Sequence, residues 1–161
     1  MTGSYVHTLW CDDIRQEIGN KPSFMGVYTG RIVLGELPAV LPRLGVFTWV
    51  NTPIDRPFKQ LTLRLVRDDG FVVLELKPGP VDASNSVDVT KPNDVTRSVF
   101  GAAFAVAPLE FPAGCRYFMV VVDIDGEVLE GPKLRVEVNA DAIARLNPAL
   151  GLPVDGMIDK A

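Results

Sequence analysis

The residues with chemistry to offer are few: a single histidine, His7, two cysteines, Cys11 and Cys115, and three acidic groupings. Those groupings are Asp12 with Asp13, Asp68 with Asp69, and Asp123 with Asp125 and Glu127. One histidine excludes the paired-histidine metal motifs and leaves one imidazole base, and on a strand it reads as an ordinary polar side chain. The cysteines stand about a hundred residues apart without a C-x-x-C spacing, so they are expected as buried reduced thiols rather than a zinc or redox pair. Carboxylates gathered at one end of a β-sandwich can bind calcium. The two later groupings, however, fall at hairpin turns, where Asp-Gly is favoured for backbone reasons alone; turn chemistry is the expectation and calcium the alternative. No G-x-S-x-G elbow, G-x-x-x-x-G-K-[ST] loop or G-x-G-x-x-G segment is present, so serine hydrolysis, P-loop chemistry and dinucleotide binding lack their marks. No catalytic residue, metal or cofactor is assigned.

The chain that must carry these groups has 161 residues, 47% hydrophobic and 22% charged. That suits one globular domain, too apolar for disorder and without the ~18 consecutive apolar residues of a membrane helix. Its net charge is −4, and its 16 basic residues are scattered, which gives no footprint for a phosphate backbone. Nucleic acid and membrane are therefore not expected partners. The first residues carry neither the basic nor the apolar region of a secretory signal, so a cytoplasmic location is expected.

Period-two alternation dominates. Leu61, Leu63 and Leu65 share one face, Asp68-Asp69-Gly70 supplies a tight reversal, and Val72, Leu74 and Leu76 return. A second hairpin runs through Phe118, Val120, Val122 and Ile124, reverses at Asp125-Gly126, and continues through Val128 to Leu134, Val136 and Val138; Pro132 should mark a bulge or an edge. Further strands are expected over residues 5–11, 23–34, 44–50 and 97–107. The last has Phe100, Ala102, Phe104 and Val106 on one parity and Gly101, Ala103 and Ala105 on the other, which suggests close packing on both faces near a sheet centre. Phe24, Phe47, Phe100, Phe104, Phe118 and Trp49 are expected to fill the core, whereas Trp10 and Tyr28 stay unassigned between core and solvent. With no crossover helices, the fold class is an all-β, antiparallel, immunoglobulin-like sandwich of about eight strands over residues 1–139.

Residues 140–161 are expected to form a short helix, Ala140 to Leu146 with Asn139 as its cap, and then an apolar tail. The tail bears Leu150, Leu152, Val154, Met157 and Ile158, interrupted by Pro and Gly, so it needs a surface to lie on, its own sheet or a partner. Two connections exceed hairpin length, 51–57 and 77–94. Arg15, Glu17 and Lys21 put charge around the first turn and form a second candidate contact surface.

The opening residues Cys11, Asp12, Asp13, Ile14 and Arg15, then Gly19-Asn20-Lys21-Pro22-Ser23 and Gly26-Val27-Tyr28, resemble a family of small bacterial proteins of unknown function. The resemblance continues through Leu37-Pro38 and Leu41-Pro42, the Asp-Asp-Gly hairpin, and Phe111-Pro112-Ala113-Gly114 before Asp125-Gly126, about three-quarters of the chain. It implies no activity. The Phe-Pro-x-Gly, strand, Asp-Gly arrangement also resembles the penultimate hairpin of immunoglobulin-like modules, with Arg116 where those often carry an aromatic.

The functional expectation is a non-catalytic protein-interaction or assembly module, with a protein, including a second copy of itself, as partner. The alternatives are a calcium- or small-ligand-binding sandwich and an enzyme of unfamiliar type.

Overall fold

The computed structural model describes residues 3–19, 21–56, 58–78 and 96–141. In chain order these form β1 (Tyr5–Glu17), β2 (Lys21–Tyr28), β3 (Arg31–Leu34), β4 (Ala39–Leu41), β5 (Leu44–Pro53) and β6 (Leu61–Arg67). They continue with β7 (Val72–Leu76), β8 (Arg97–Val106), β9 (Leu109–Phe111), β10 (Tyr117–Ile124), β11 (Glu127–Glu130) and β12 (Leu134–Val138). One sheet has the order β2-β1-β5-β8; a larger one has β3-β12-β10-β6-β7, with β11 also on β10; β4 and β9 form a separate ribbon.

All pairings are antiparallel except β3 with β12, where Arg31 to Leu34 run alongside Arg135 to Val138. The order β1-β5-β8 facing β12-β10-β6-β7 is the immunoglobulin A-B-E sheet against G-F-C-C′. The fold is thus the expected all-β sandwich, with twelve strands among the described residues instead of about eight. Two expected strands are each broken. Gly30, at φ 88°, separates β2 from β3, and Gly131-Pro132 separate β11 from β12. The three-residue β4 and β9 account for the rest, being too short to show a period.

The alternation fixes the core. Leu61, Leu63 and Leu65 of β6 and Phe118, Val120, Val122 and Ile124 of β10 are buried against Trp10, Val46 and Val50 of the smaller sheet. Each such side chain contributes about 1.5–3 kcal/mol by leaving water. Phe111 and Phe118 meet edge to face at 5.3 Å, so Phe118→Ala would open the centre at a cost of ~3–5 kcal/mol. Trp10, 2% exposed, is a core residue, and Tyr28 packs against the core.

Both expected reversals form where the sequence puts them. Asp125 and Gly126 adopt φ 50° and 93°, a two-residue turn with positive φ at both positions. The Asp125 carboxylate accepts the Lys59 and Gln60 amides at 3.0 and 2.8 Å, tying the entry of β6 to that turn. Pro132 lies in the gap between β11 and β12, where the Gly131 amide still reaches the Val120 carbonyl at 2.8 Å.

Two expectations need correction. β5 continues through Pro53, which faces Arg97, and β6 begins at Leu61, so the connection lies three residues later than 51–57. Among the described residues β8 is not central but the edge of the smaller sheet, and Gly101, Ala103 and Ala105 are exposed. Of the C-terminal segment, only Ala140 and Asp141 are described; the rest of the expected helix and the tail lie outside the described residues, as does most of the 77–94 connection. Among the described residues no helix is long and apolar enough to cross a membrane.

Candidate functional site

The outer face of the smaller sheet is built from four cross-strand rows: Tyr5, Asn51, Val99; His7, Trp49, Gly101; Leu9, Phe47, Ala103; and Cys11, Gly45, Ala105. None carries a formal charge. Phe47 and Trp49, expected in the core, are instead half-buried here, because the other parity of β5, Leu44, Val46, Thr48 and Val50, takes the interior. Phe24 joins them from β2, its ring meeting Phe47 at 5.3 Å and Trp49 at 6.2 Å, while Phe47 and Trp49 lie 4.4 Å apart. Phe100 and Phe104, on the opposite parity of β8, pack against the core as expected.

The small residues of β8 explain this arrangement. A Cβ on Gly101 would lie 3.1 Å from the tip of the Phe47 ring, and one on Gly45 would meet the Cys11 sulfur and Ile14 at 3.0 Å. Small side chains along β8 thus let the rings of β5 lie over the strand, and the pattern that suggested two-sided burial records one-sided room for aromatics. Val99, 54% exposed, and Val27, 50% exposed, extend the apolar surface on either side.

The outer face of the larger sheet is the contrary case. There Arg64 pairs with Glu75 at 2.6 Å, Arg31 with Glu137 at 3.2 Å, and Lys133 lies over the Tyr117 ring. Such partly exposed pairs add little stability, but they keep that face in water.

Beyond Cys11, β1 pairs only with β2, so the two strands project past β5 as a ribbon. Of the anticipated contact residues, Glu17 and Lys21 face each other across it and Arg15 faces Ser23, so all three gather on this arm. At its tip Ile18 is 98% exposed, which charge-based reading of the turn missed. The base of the arm is held by Asp13, which pairs with Arg43 at 3.1 Å and Arg15 at 3.7 Å, and by a hydrogen bond from the Tyr28 hydroxyl to Asp12. Burial pushes the Tyr28 phenol up, and acceptance by Asp12 adds to the shift. The remaining anticipated residues, Leu150, Leu152, Val154, Met157 and Ile158, lie outside the described residues.

The acidic groupings are engaged by the protein itself. Arg67 and Asp69 bond at 2.6 Å, Arg116 and Asp68 at 2.8 Å, and Asp123 accepts the Gly126 amide at 2.9 Å. Among the described residues no three histidine, cysteine, aspartate or glutamate side chains converge. Cys11 and Cys115 are both buried and unpaired; burial raises each thiol, Cys115 to about 11. A cavity of about 270 Å³ at one end of the sandwich is lined by Thr52, Arg56, Asp125 and Glu127 among others, but its Asp125 already holds two backbone amides.

Compared with known proteins, residues 7–137 match the model of a family of unknown function, DUF6941. No curated protein and no solved structure matches the chain.

Proposed function

Starting from the fact that the chain belongs to this family of unknown function, whose description assigns no activity, we propose that it is a non-catalytic protein-interaction or assembly module. Its contact surface is the outer face of the smaller sheet together with the arm beside it.

The observation that carries this reading is the difference between the two outer faces. One is laced with ion pairs; the other presents four cross-strand rows without a formal charge, around Phe47 and Trp49. A contiguous apolar sheet face gains by leaving water, and binding energy concentrates on aromatic anchors of this kind. The fitting occupant is a protein surface with an apolar patch of its own. A net charge of −4 with dispersed basic residues disfavours nucleic acid. We assign the module to a bacterial cytoplasm, a setting supported by its two unpaired cysteines and by the opening motif.

The test is capture from cell extract with tagged full chain, comparing wild type, Trp49→Ala and, on the other face, Arg64→Ala. A protein retained by wild type and by Arg64→Ala, but depleted about tenfold or more by Trp49→Ala at unchanged melting temperature, is the expected result. Equal retention by all three chains refutes the surface assignment.

A further inference from the structure

Among the described residues, the end strands of the two larger sheets, β2, β8, β3 and β7, differ in how they are protected. The β2 edge carries Lys21, Pro22 and Gly26 at φ 64°; β3 is four residues long and begins with Arg31; β7 is five residues long and contains Glu75. Charge, proline, irregularity and shortness are the means by which edges avoid adding strands. β8 has none of them beyond its first residue. It is ten residues long, and from Ser98 to Val106 it contains no charge and no proline. Its one charged residue, Arg97, is turned away onto β1, donating to the Gly3 carbonyl at 2.6 Å with its guanidinium over the Tyr5 ring. Among the described residues only β5 pairs with β8.

A second observation points the same way. Phe100 and Phe104 face the interior of the sandwich yet remain only partly buried, whereas Val46 and Val50 opposite them on β5 are fully buried. The difference lies in position: the phenylalanines sit at the open seam between the sheets, where a further strand would cover them.

We propose that a second copy of this chain occupies this edge, with β8 pairing antiparallel to β8 of its twin about a two-fold axis at Ala102. The inference rests on the reading of the protein as an assembly module and names its partner. The sequence is self-complementary in this register. Phe100 faces the twin's Phe104, and Ala102 faces its own copy; on the outer side Val99 faces Ala105 and Gly101 faces Ala103. Every pair keeps interior-facing side chains on one side, as an even register requires. Aromatic cross-strand pairs are favourable, no like charges oppose, and the isologous contact closes on itself as a dimer rather than growing. The two outer faces, uncharged in the four rows around Phe47 and Trp49, become one continuous sheet surface.

The experiment uses the full chain in sedimentation velocity across a concentration series, with hydrogen exchange of the β8 amides. Wild type is expected as a dimer in which the β8 amides that point away from β5 lose protection on dilution. Ala103→Lys, an exposed position whose copies become diagonal neighbours across the axis, should weaken the dimer about tenfold or more while leaving the melting temperature of the monomer unchanged. Ala102→Cys should cross-link to a dimer on oxidation, and Ala105→Cys should not. A wild type monomeric throughout, a dimer indifferent to Ala103→Lys, or protection in the monomer of the β8 amides that point away from β5, each overturns the proposal. Partner capture dependent on Trp49 but without the dimer leaves the interaction-module reading standing; a β8 dimer without Trp49-dependent capture removes the outer-face assignment instead.

Discussion

The tip of the Phe47 ring lies 3.1 Å from the point that a Cβ on Gly101 would occupy, so the absence of one side chain on β8 sets the position of another on β5. Through that ring it also sets Trp49, 4.4 Å away, and Phe24, 5.3 Å away. The apolar face is therefore a property of the two strands together.

Gly101→Val should displace the Phe47 ring, at a cost of about 1–3 kcal/mol for overpacking, partly offset by the better strand propensity of valine. Urea melts of the single variant and of Gly101→Val with Phe47→Leu measure this. The smaller partner should recover most of the loss. Two costs that simply add would show that residues 47 and 101 are not coupled.

Acid should weaken the fold through the β6–β7 hairpin. Asp69 is held at about 2, below its ordinary 3.8, by hydrogen bonds from Arg67 and then from the Phe71 amide. Asp68 is lowered chiefly by Arg116, and Glu75 by Lys77 and Arg64. A carboxyl that is more acidic folded than unfolded contributes its stabilisation in full above the ordinary carboxylate range and loses it as pH falls through the folded value. Melting temperature should therefore drop between about pH 4 and pH 2, and Asp69→Asn should flatten the slope. An unchanged slope in that variant would mean that the Arg67 contact carries no linkage.

Both thiols should resist modification in the folded chain. Cys11 is 0% and Cys115 5% exposed, and burial raises both, Cys115 to about 11 from 9.0. Because the folded chain favours the protonated thiol, this contribution is present below the ordinary value and is lost as pH rises through about 11. Labelling with a maleimide at neutral pH should be at least about a hundredfold slower than in denaturant, by mass spectrometry, since reaction requires exposure of the thiolate. Rapid labelling of either residue in the native chain contradicts its placement.

The hairpins were legible because Asp-Gly turns and period-two leucines and valines speak with one voice at 61–76 and 118–130. The two faces of β5 were not. Leu44, Val46 and Val50 on one parity and Phe47 and Trp49 on the other are all apolar, so hydrophobicity cannot say which side is inside. The missing signal lay on another strand, in the small residues of β8 opposite those rings. β8 was misjudged for a related reason: alanine and glycine mark close approach, and only the pairing partner reveals whether sheet, ring or solvent approaches. Arg15, Glu17 and Lys21 do lie around one turn, but the length of the ribbon that lifts Ile18 clear of β5 depends on where β5 begins, which no local pattern encodes.

The parallel pairing of β3 with β12 has a consequence for how the molecule is made. Arg31 to Leu34 bond to Arg135 to Val138, so a strand synthesised early waits roughly a hundred residues for its neighbour. During that interval a nascent chain already holds the partners for β1, β2 and β5, and later the β6–β7 hairpin, yet Ile32, 3% exposed in the finished fold, has no interior to enter. The larger sheet is completed only by the last described strand. A ribosome stalled before residue 135 would thus present a half-dressed sandwich with an open, apolar flank, the kind of substrate that chaperones and proteases compete for.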